Sequence, residues 1–372
     1  IEQRNAAFCY PAELAHGFFH SLIEAEKPPD YIFLPHFKSI PLSNGVRSSQ
    51  VCPLVQGETF YLQSTFREKL VSLEQKGTRV LAPLLDLNQG LAKAKAPLLK
   101  TAQRMGAGLK EASRAFDMAV DCQEQCLVEI KNKGRQALAD LEKDPSQIGV
   151  VIFSRPYNGL VDEAHMGIPA KFASRGVLVI PLDFLPFEKE KAKRHMYWGM
   201  GQMIMKAARM VERHPQLFGT FITNFSCGPD SFIVGYFRSI MGRKPSLTLE
   251  LDSHTADAGL DTRIDAFLDI VSAYRQLDRP ENYGARNKGF SLAATTLEKG
   301  ESSVVTSSGE KIPLTDPRVT LLVPSMGKLG SEAIAAVFRG TGVNAIAHPP
   351  ADESVLKTGR GNTSCKECLP LI

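Results

Sequence analysis

The stretch Ile148-Gly149-Val150-Val151-Ile152-Phe153 decides the fold, because it is an uncharged apolar run with the length of a buried strand. Three more apolar runs follow at residues 177–180, 220–223 and 247–251. Helix-forming segments alternate with these runs, at residues 167–174, 196–212, 231–240 and 262–275. Apolar strands that alternate with helices predict a parallel sheet covered on both faces, with all the strand carboxyl ends along one edge.

Composition divides the chain into five predicted segments. They are a partial α/β domain (1–86), a helical insertion rich in Ala, Leu, Lys, Glu and Gln (87–146), the parallel α/β domain (147–279), a polar linker with a short hairpin at Ser308-Gly309 (280–317) and the start of a further α/β module (318–372). The predicted fold class is therefore α/β, with two or more Rossmann-like or flavodoxin-like parallel-sheet domains and a helical insertion between them.

The overall composition excludes several classes of protein. The 372 residues are 43% hydrophobic and 23% charged, as in ordinary globular proteins, and the net charge of +4 is too small and too dispersed to predict a nucleic-acid partner. No apolar run approaches the roughly 18 residues of a membrane span, and no signal peptide is recognisable. Seven cysteines, an odd number, favour a reducing compartment, so we expect a cytoplasmic protein. We interpret the chain, which starts without methionine, as a piece of a longer polypeptide.

Three cysteines share one local context, since each stands beside a proline at a predicted helix start. They occur in Phe8-Cys9-Tyr10-Pro11, Val51-Cys52-Pro53 and Ser226-Cys227-Gly228-Pro229-Asp230. The positive end of a helix dipole favours thiolate, and thiolates bind soft metals. Cys227 also follows the third strand, at the sheet edge where ligands bind. One such cysteine alone predicts a buried, inert thiol. Three together favour an iron–sulfur cluster with one open iron position, and a three-thiolate zinc site remains the alternative.

These and other motifs resemble a known family. The segments are residues 8–17, 51–53, 155–158, 180–186, 197–202, 224–232 and 250–263. They look like the acyl-CoA dehydratase activase-related proteins, which are relatives of the 2-hydroxyacyl-CoA dehydratase subunits. The resemblance covers about residues 1–75 and 147–275 and the C-terminal tip. Ser154 and Cys365 depart from it, because the family usually has glycine at both positions.

The resemblance implies a [4Fe–4S]-type cluster, or one of the double-cubane type, on Cys9, Cys52 and Cys227. Its chemistry would be oxygen-sensitive, low-potential electron transfer or reductive activation. The implied partners are ATP-hydrolysing activase domains or an activase subunit, and further expectations are an acyl-CoA and a homodimer. The chain has no G-x4-G-K-[ST] motif, so we do not expect it to hydrolyse ATP alone. It would form part of an anaerobic ATP-dependent reductase or of a 2-hydroxyacyl-CoA dehydratase system.

Two other functions remain open at this point. The chain is then either a dehydratase-like subunit that binds an acyl-CoA at the open iron, or a non-catalytic α/β domain with structural or zinc-bound cysteines. By resemblance, Cys368 is the first ligand of a second cluster, while a redox pair with Cys365 and a pair without function are the alternatives. Cys122 and Cys126 share a helix face, but no further ligand is near, so we interpret them as incidental or packing residues.

Polar residues after the strands complete the candidates. Arg155 and Tyr157 follow the first strand, where Arg155 would clamp a phosphate or carboxylate and Tyr157 would donate a proton or a hydrogen bond; a tight turn is the alternative. His254 follows the fourth strand and is a candidate for acid–base work, with a network at the next helix as the alternative. His16, in the first predicted helix, would tune hydrogen bonding at Cys9 or simply pack.

Overall fold

The protein was analysed as a computed structural model, which describes residues 9–41, 48–252, 254–276, 293–298, 301–325 and 327–355. The chain forms two compact units, of which the first ends at Gln276. Helices and parallel strands alternate through much of the first unit, so the predicted α/β class is confirmed. Within the described ranges, no helix is both long enough and apolar enough to cross a membrane.

The N-terminal part of the first unit is a small α/β layer. Its elements are α1 (Tyr10–Ile23), β1 (Tyr31–Phe33), β2 (His36–Ser39), α2 (Pro53–Thr65), α3 (Arg67–Gln75), β3 (Arg79–Leu81) and β4 (Leu84–Asp86). The two predicted strands are β1 and β3, which pair in parallel, and β2 pairs with β4 in the same way. Phe19, Ile32, Leu62, Phe66 and Leu70 form the buried core that fixes α1 against α2 and α3.

The predicted helical insertion contains a short 3-10 helix (Leu91–Ala94), α4 (Lys95–Arg104) and the long α5 (Leu109–Lys143). Both ends of α5 pack, through Ala112 near its start and through Leu138 and Leu141 near its end. Between them, every residue from 121 to 129 is exposed. The middle of α5 is therefore exposed between two packed stretches.

Gly134 lets α5 approach the chain closely, and this contact yields a testable prediction. A Cβ atom at this position would lie 1.9 Å from the carbonyl oxygen of Phe184. Because backbone cannot yield as a side chain does, we expect Gly134→Ala to lower the free energy of unfolding by about 1–3 kcal/mol. Urea denaturation measures this. Gly17→Ala is the matched control, since Gly17 is helical with open space around it and alanine there should stabilise by up to about 1 kcal/mol.

The second part of the first unit is built around a four-stranded parallel sheet. Its elements are β5 (Gly149–Phe153), α6 (Pro156–Gly159), α7 (Asp162–His165), α8 (Ile168–Ala173), β6 (Leu178–Pro181), a 3-10 helix (Leu182–Phe184), α9 (Gly199–Arg213), β7 (Leu217–Asn224), α10 (Gly228–Met241), β8 (Ser246–Leu251) and α11 (Asp257–Gln276). The strand order is β6-β5-β7-β8, so the chain runs outward from β5 to β6 and then crosses to β7 on the other side. The carboxyl ends of the neighbouring strands β5 and β7 thus form a topological switch point.

Both faces of this sheet are covered, as predicted. Val151 and Phe153 point to one face and pack with α9 and α10, while Val150 and Ile152 point to the other and pack with α8 and α11. All eight residues of β7 are buried, as expected for a central strand.

The second unit is smaller. It contains an antiparallel sheet of β9 (Ala294–Glu298), β10 (Glu301–Val305) and β11 (Lys311–Pro313), followed by β12 (Leu321–Val323), α12 (Lys328–Gly340) and β13 (Ala345–Ala347), with β12 and β13 parallel. The predicted hairpin is confirmed, since β10 turns into β11 through Gly309, which has a φ of 85°. Cys365 and Cys368 lie outside the described residues.

Candidate functional site

Each of the three cysteines directly precedes a helix. Cys9 stands before α1, Cys52 before α2 and Cys227 before α10, and a proline occupies the first turn of each helix. Proline suits this position because its missing N–H has no partner there in any case. All three thiols are half-buried and form no disulfide. The predicted context at helix starts is confirmed for each of them.

The three cysteines line one cavity of about 290 Å³. Two stretches of wall come from α1 and α2, and the others come from the segments that follow β5 and β7. Most of the lining is apolar, and the polar lining side chains besides the cysteines are His16, Glu58, Tyr61, Arg155, Tyr157 and Ser226. The fold therefore brings together residues that are far apart in sequence at the carboxyl edge of the sheet.

Cys227 and Arg155 flank the switch point between β7 and β5. The chain leaves β7 at Asn224 and turns through Ser226, whose φ of 59° lies in the left-handed region that a serine rarely adopts. Backbone strain of this kind concentrates at functional sites. The turn places Cys227 at the start of α10, beside the segment that follows β5.

Arg155 is buried and bonded within the chain. Its Nη2 donates to the Cys227 Sγ at 2.6 Å and to the Asp230 Oδ2 at 2.8 Å. The same carboxylate oxygen accepts a hydrogen bond of 2.5 Å from the hydroxyl of Thr223. The guanidinium also lies 5.1 Å from the centre of the Tyr157 ring. Arg155 thus places a positive charge beside Cys227, and the negative charge of Asp230 compensates it.

Burial favours the protonated form of the Cys9 and Cys227 thiols. It raises the pKa of Cys227 to about 12, with the nearby Asp230 carboxylate as a further cause, and it also raises the pKa of Cys9. Backbone N–H groups of Ala12 and Asp230 act in the opposite direction but are outweighed. The prediction that helix N-termini would favour thiolate is therefore wrong for these two residues, because the loss of hydration is the larger effect.

Comparison with known proteins assigns the family. Residues 1–185 match the family described as CoA enzyme activase uncharacterised domain. The chain is an acyl-CoA dehydratase activase-related protein. This confirms the resemblance inferred from the sequence motifs. The matched region includes Cys9, Cys52, Arg155 and Tyr157, whereas Cys227 lies beyond it. No curated protein and no solved structure matches the chain.

Tyr157 and His254 of the activase-related protein have different environments. Tyr157 lines the cavity, and burial raises its pKa well above the ordinary value, so its phenol stays neutral and is suited to donate a hydrogen bond. His254 is exposed after β8 and is absent from the cavity lining. The backbone N–H of His254 donates to the Asp252 Oδ1 at 2.9 Å, in a turn closed by Thr255 ahead of α11. This geometry agrees with the alternative of a local network at the helix start.

His16 and the pair Cys122 and Cys126 differ in their position relative to the cavity. His16 lines the cavity, and its Nδ1 lies 2.7 Å from the carbonyl oxygen of Ala12. When the ring is neutral and Nδ1 donates this bond, Nε2 is left as an acceptor. Cys122 and Cys126 lie on the exposed middle of α5 and do not line the cavity.

Glu58 is a cavity residue that the sequence reasoning missed. It is half-buried on α2, and loss of hydration raises its pKa, while His16 acts in the opposite direction. Leu54, Glu58 and Tyr61 share one face of α2 and all line the cavity. The spacing of four and three residues between them indicates that they share a helix face, but it does not indicate which face of α2 lies beside Cys52.

The described part of the activase-related protein contains no group of three or more His, Cys, Asp or Glu side chains that could hold a single metal ion. The three cavity cysteines are thus neighbours in one cavity without forming a compact site for one ion. A four-iron cluster makes a different demand, since each of its cysteine sulfurs binds a different iron atom.

Proposed function

We propose that Cys9, Cys52 and Cys227 hold a [4Fe–4S]-type cluster through which this activase-related protein takes part in low-potential electron transfer or reductive activation. The observation that carries the proposal is the convergence of three free thiols, each at a helix start, on one cavity. ATP-hydrolysing activase domains or an activase subunit are its proposed partners. A dehydratase is the proposed target, and an oxygen-sensitive cluster fits a reducing compartment such as the cytoplasm.

The chemistry of the donor set supports a cluster over a single ion. Three soft thiols line the cavity from three separate walls, which suits ligands to three different iron atoms. When bound, such a cluster would supply one-electron transfer. Ligating cysteines must lose their protons, so with the raised pKa of Cys9 and Cys227 we expect proton release on loading.

The chain's own residues suit this role. Apolar side chains such as Leu14, Phe18 and Leu54 line the cavity and limit the water within it. A low dielectric strengthens each electrostatic interaction there, including that of the Arg155 guanidinium with Cys227. Burial raises the pKa of both Tyr157 and Glu58, so each keeps its proton to a higher pH than an ordinary phenol or carboxyl group.

A second candidate function is supported by the extent of the cavity. Its lining reaches Phe18 on α1 and Tyr61 on α2, and its volume is about 290 Å³. Small-molecule sites range from about 300 Å³ upward, so the space suits an acyl group but not a whole coenzyme A. A dehydratase-like subunit would place the acyl thioester there, with Tyr157 and Glu58 as polar neighbours. Addition of an acyl-CoA to the loaded protein would then change its EPR spectrum.

Anaerobic reconstitution tests the main proposal. We expect iron and acid-labile sulfide in the wild-type protein and loss of both in Cys9→Ser, Cys52→Ser and Cys227→Ser, because a cluster held by three thiolates loses a ligand in each. Optical and EPR spectra report the cluster type. Cys122→Ser is the matched control and should keep full iron content, since Cys122 lies outside the cavity.

Two outcomes contradict the proposal. Wild-type protein that binds neither iron nor sulfide after reconstitution would leave a non-catalytic α/β domain with structural cysteines. Stoichiometric zinc without sulfide would leave a zinc site in its place.

A further inference from the structure

The geometry of Arg155 indicates a role beyond its structural ion pair with Asp230. Arginine and carboxylate side chains pair best through two parallel N–H···O bonds. Here only Nη2 reaches the carboxylate, at 2.8 Å from the Asp230 Oδ2. The Arg155 Nε and the Asp230 Oδ1 are both buried and without a hydrogen-bond partner among the described residues. The pair is therefore held in a geometry that leaves one good hydrogen bond unmade.

The orientation that leaves this hydrogen bond unmade brings the guanidinium to Cys227. The same Nη2 that binds Asp230 lies 2.6 Å from the Cys227 Sγ. The guanidinium is thus oriented toward the sulfur at the expense of its own carboxylate partner. A buried polar atom without a partner is destabilising, so a purely structural pair would gain by relaxing to the two-bonded form.

Supporting residues hold this orientation. The Thr223 hydroxyl donates to the Asp230 Oδ2 at 2.5 Å and fixes the carboxylate from the end of β7. Asp230 lies in the first turn of α10, one turn after Cys227, so one helix start carries both the sulfur and the anchor of its donor. Of the three cavity cysteines, only Cys227 has a charged hydrogen-bond donor at its sulfur within the described residues.

We propose that Arg155 is a positioning residue that makes the Cys227 corner of the cavity the electron-accepting one. This inference rests on the proposed function. An N–H···S bond and a nearby positive charge both stabilise the extra negative charge of a reduced cluster, and hydrogen bonds to the sulfurs are among the determinants of cluster potential. Arg155 would therefore raise the reduction potential of the bound group, while Cys9 and Cys52 provide ligands without such a donor.

Redox titration of the reconstituted whole chain, followed by EPR, tests this. In Arg155→Gln we expect iron and sulfide content close to wild type and a midpoint potential shifted to a more negative value. Arg155→Gln leaves the Asp230 charge buried without its partner, so the double variant Arg155→Gln/Asp230→Asn is measured beside it. The double variant leaves no unpaired charge, but it also removes the Asp230 carboxylate, so it is compared with Asp230→Asn, from which it differs only at residue 155. Relative to Asp230→Asn, the double variant should show a more negative midpoint potential.

Arg175→Gln is the matched control. Arg175 pairs with Asp261 and Asp265 between α8 and α11, outside the cavity lining, so its variant should keep the wild-type potential. A loaded Arg155→Gln/Asp230→Asn protein with the same potential as Asp230→Asn would overturn this inference and leave the proposed cluster intact. Absence of iron and sulfide from the wild-type protein itself would instead overturn the proposed function. Loss of iron from the folded double variant would also contradict a tuning role, because Arg155 would then be needed for assembly.

Discussion

Cys227 of the folded, metal-free protein should react with iodoacetamide at pH 7 about a thousandfold more slowly than an ordinary thiol, because only the thiolate attacks. Its pKa is about 12, against 9.0 for an unperturbed cysteine, so its thiolate fraction at neutral pH is about a thousandfold smaller. The cause is burial, which penalises the charged form, together with the Asp230 carboxylate.

The pH dependence distinguishes this cause from simple inaccessibility. A raised pKa means that reactivity should keep increasing about tenfold per pH unit beyond pH 9, where an ordinary thiol has levelled off. Mass spectrometry of peptides after timed labelling measures the rate at each cysteine separately. Cys122 and Cys126 are exposed and serve as internal references in the same sample. Labelling of Cys227 at pH 7 as fast as that of Cys122 would contradict a protonated, buried thiol.

Asp230→Ala should lower the free energy of unfolding by about 3–5 kcal/mol, the range found when one partner of a buried ion pair is removed. Arg155 is 6% exposed and Asp230 is 2% exposed, so the substitution leaves a guanidinium charge in a dry site with no counter-ion. The Thr223 hydroxyl loses its acceptor at the same time. Urea denaturation followed by circular dichroism measures the change in midpoint and slope.

Asp265→Ala is the control for this prediction. It removes a carboxylate that also binds an arginine, Arg175, but on the surface, where water replaces the lost partner. We expect a much smaller loss of stability there. Equal effects of the two substitutions would show that burial of the Arg155–Asp230 pair has no special weight.

The sequence predicted the strands of the main sheet well because their signal is local. The apolar run at 148–153 became β5, and the run at 247–251 became β8, each within one residue at either end. The order of the strands has no such signal, since four similar apolar runs can be arranged in several ways. The order places β5 beside β7, and this adjacency is what brings Arg155 to Cys227.

The candidate site was predictable only in part for the same reason. Prolines next to Cys9, Cys52 and Cys227 mark helix starts, and that context was read correctly. Glu58 was missed because the face of α2 that meets the cavity depends on packing. His254 was placed by its position after a strand, yet the loop after β8 turns it into solvent.

The thiol pKa values were misjudged because the dipole of a helix can be inferred from sequence, whereas the depth of burial cannot. The same limit applies to Arg155, which looked free to clamp an anion. In the fold it has partners at Cys227 and Asp230.

The walls of the cysteine cavity have a consequence for how the protein is made. Cys9 and Cys52 are translated before Cys227, because the turn that carries Cys227 follows only after the helical insertion and three strands of the main sheet. At roughly 5–20 residues per second, the first two thiols exist for many seconds before the third. A nascent chain therefore offers no three-thiol site, and any metal delivery that requires all three must wait until β7 and α10 have been synthesised. Insertion of the proposed cluster would therefore be a late step of biogenesis.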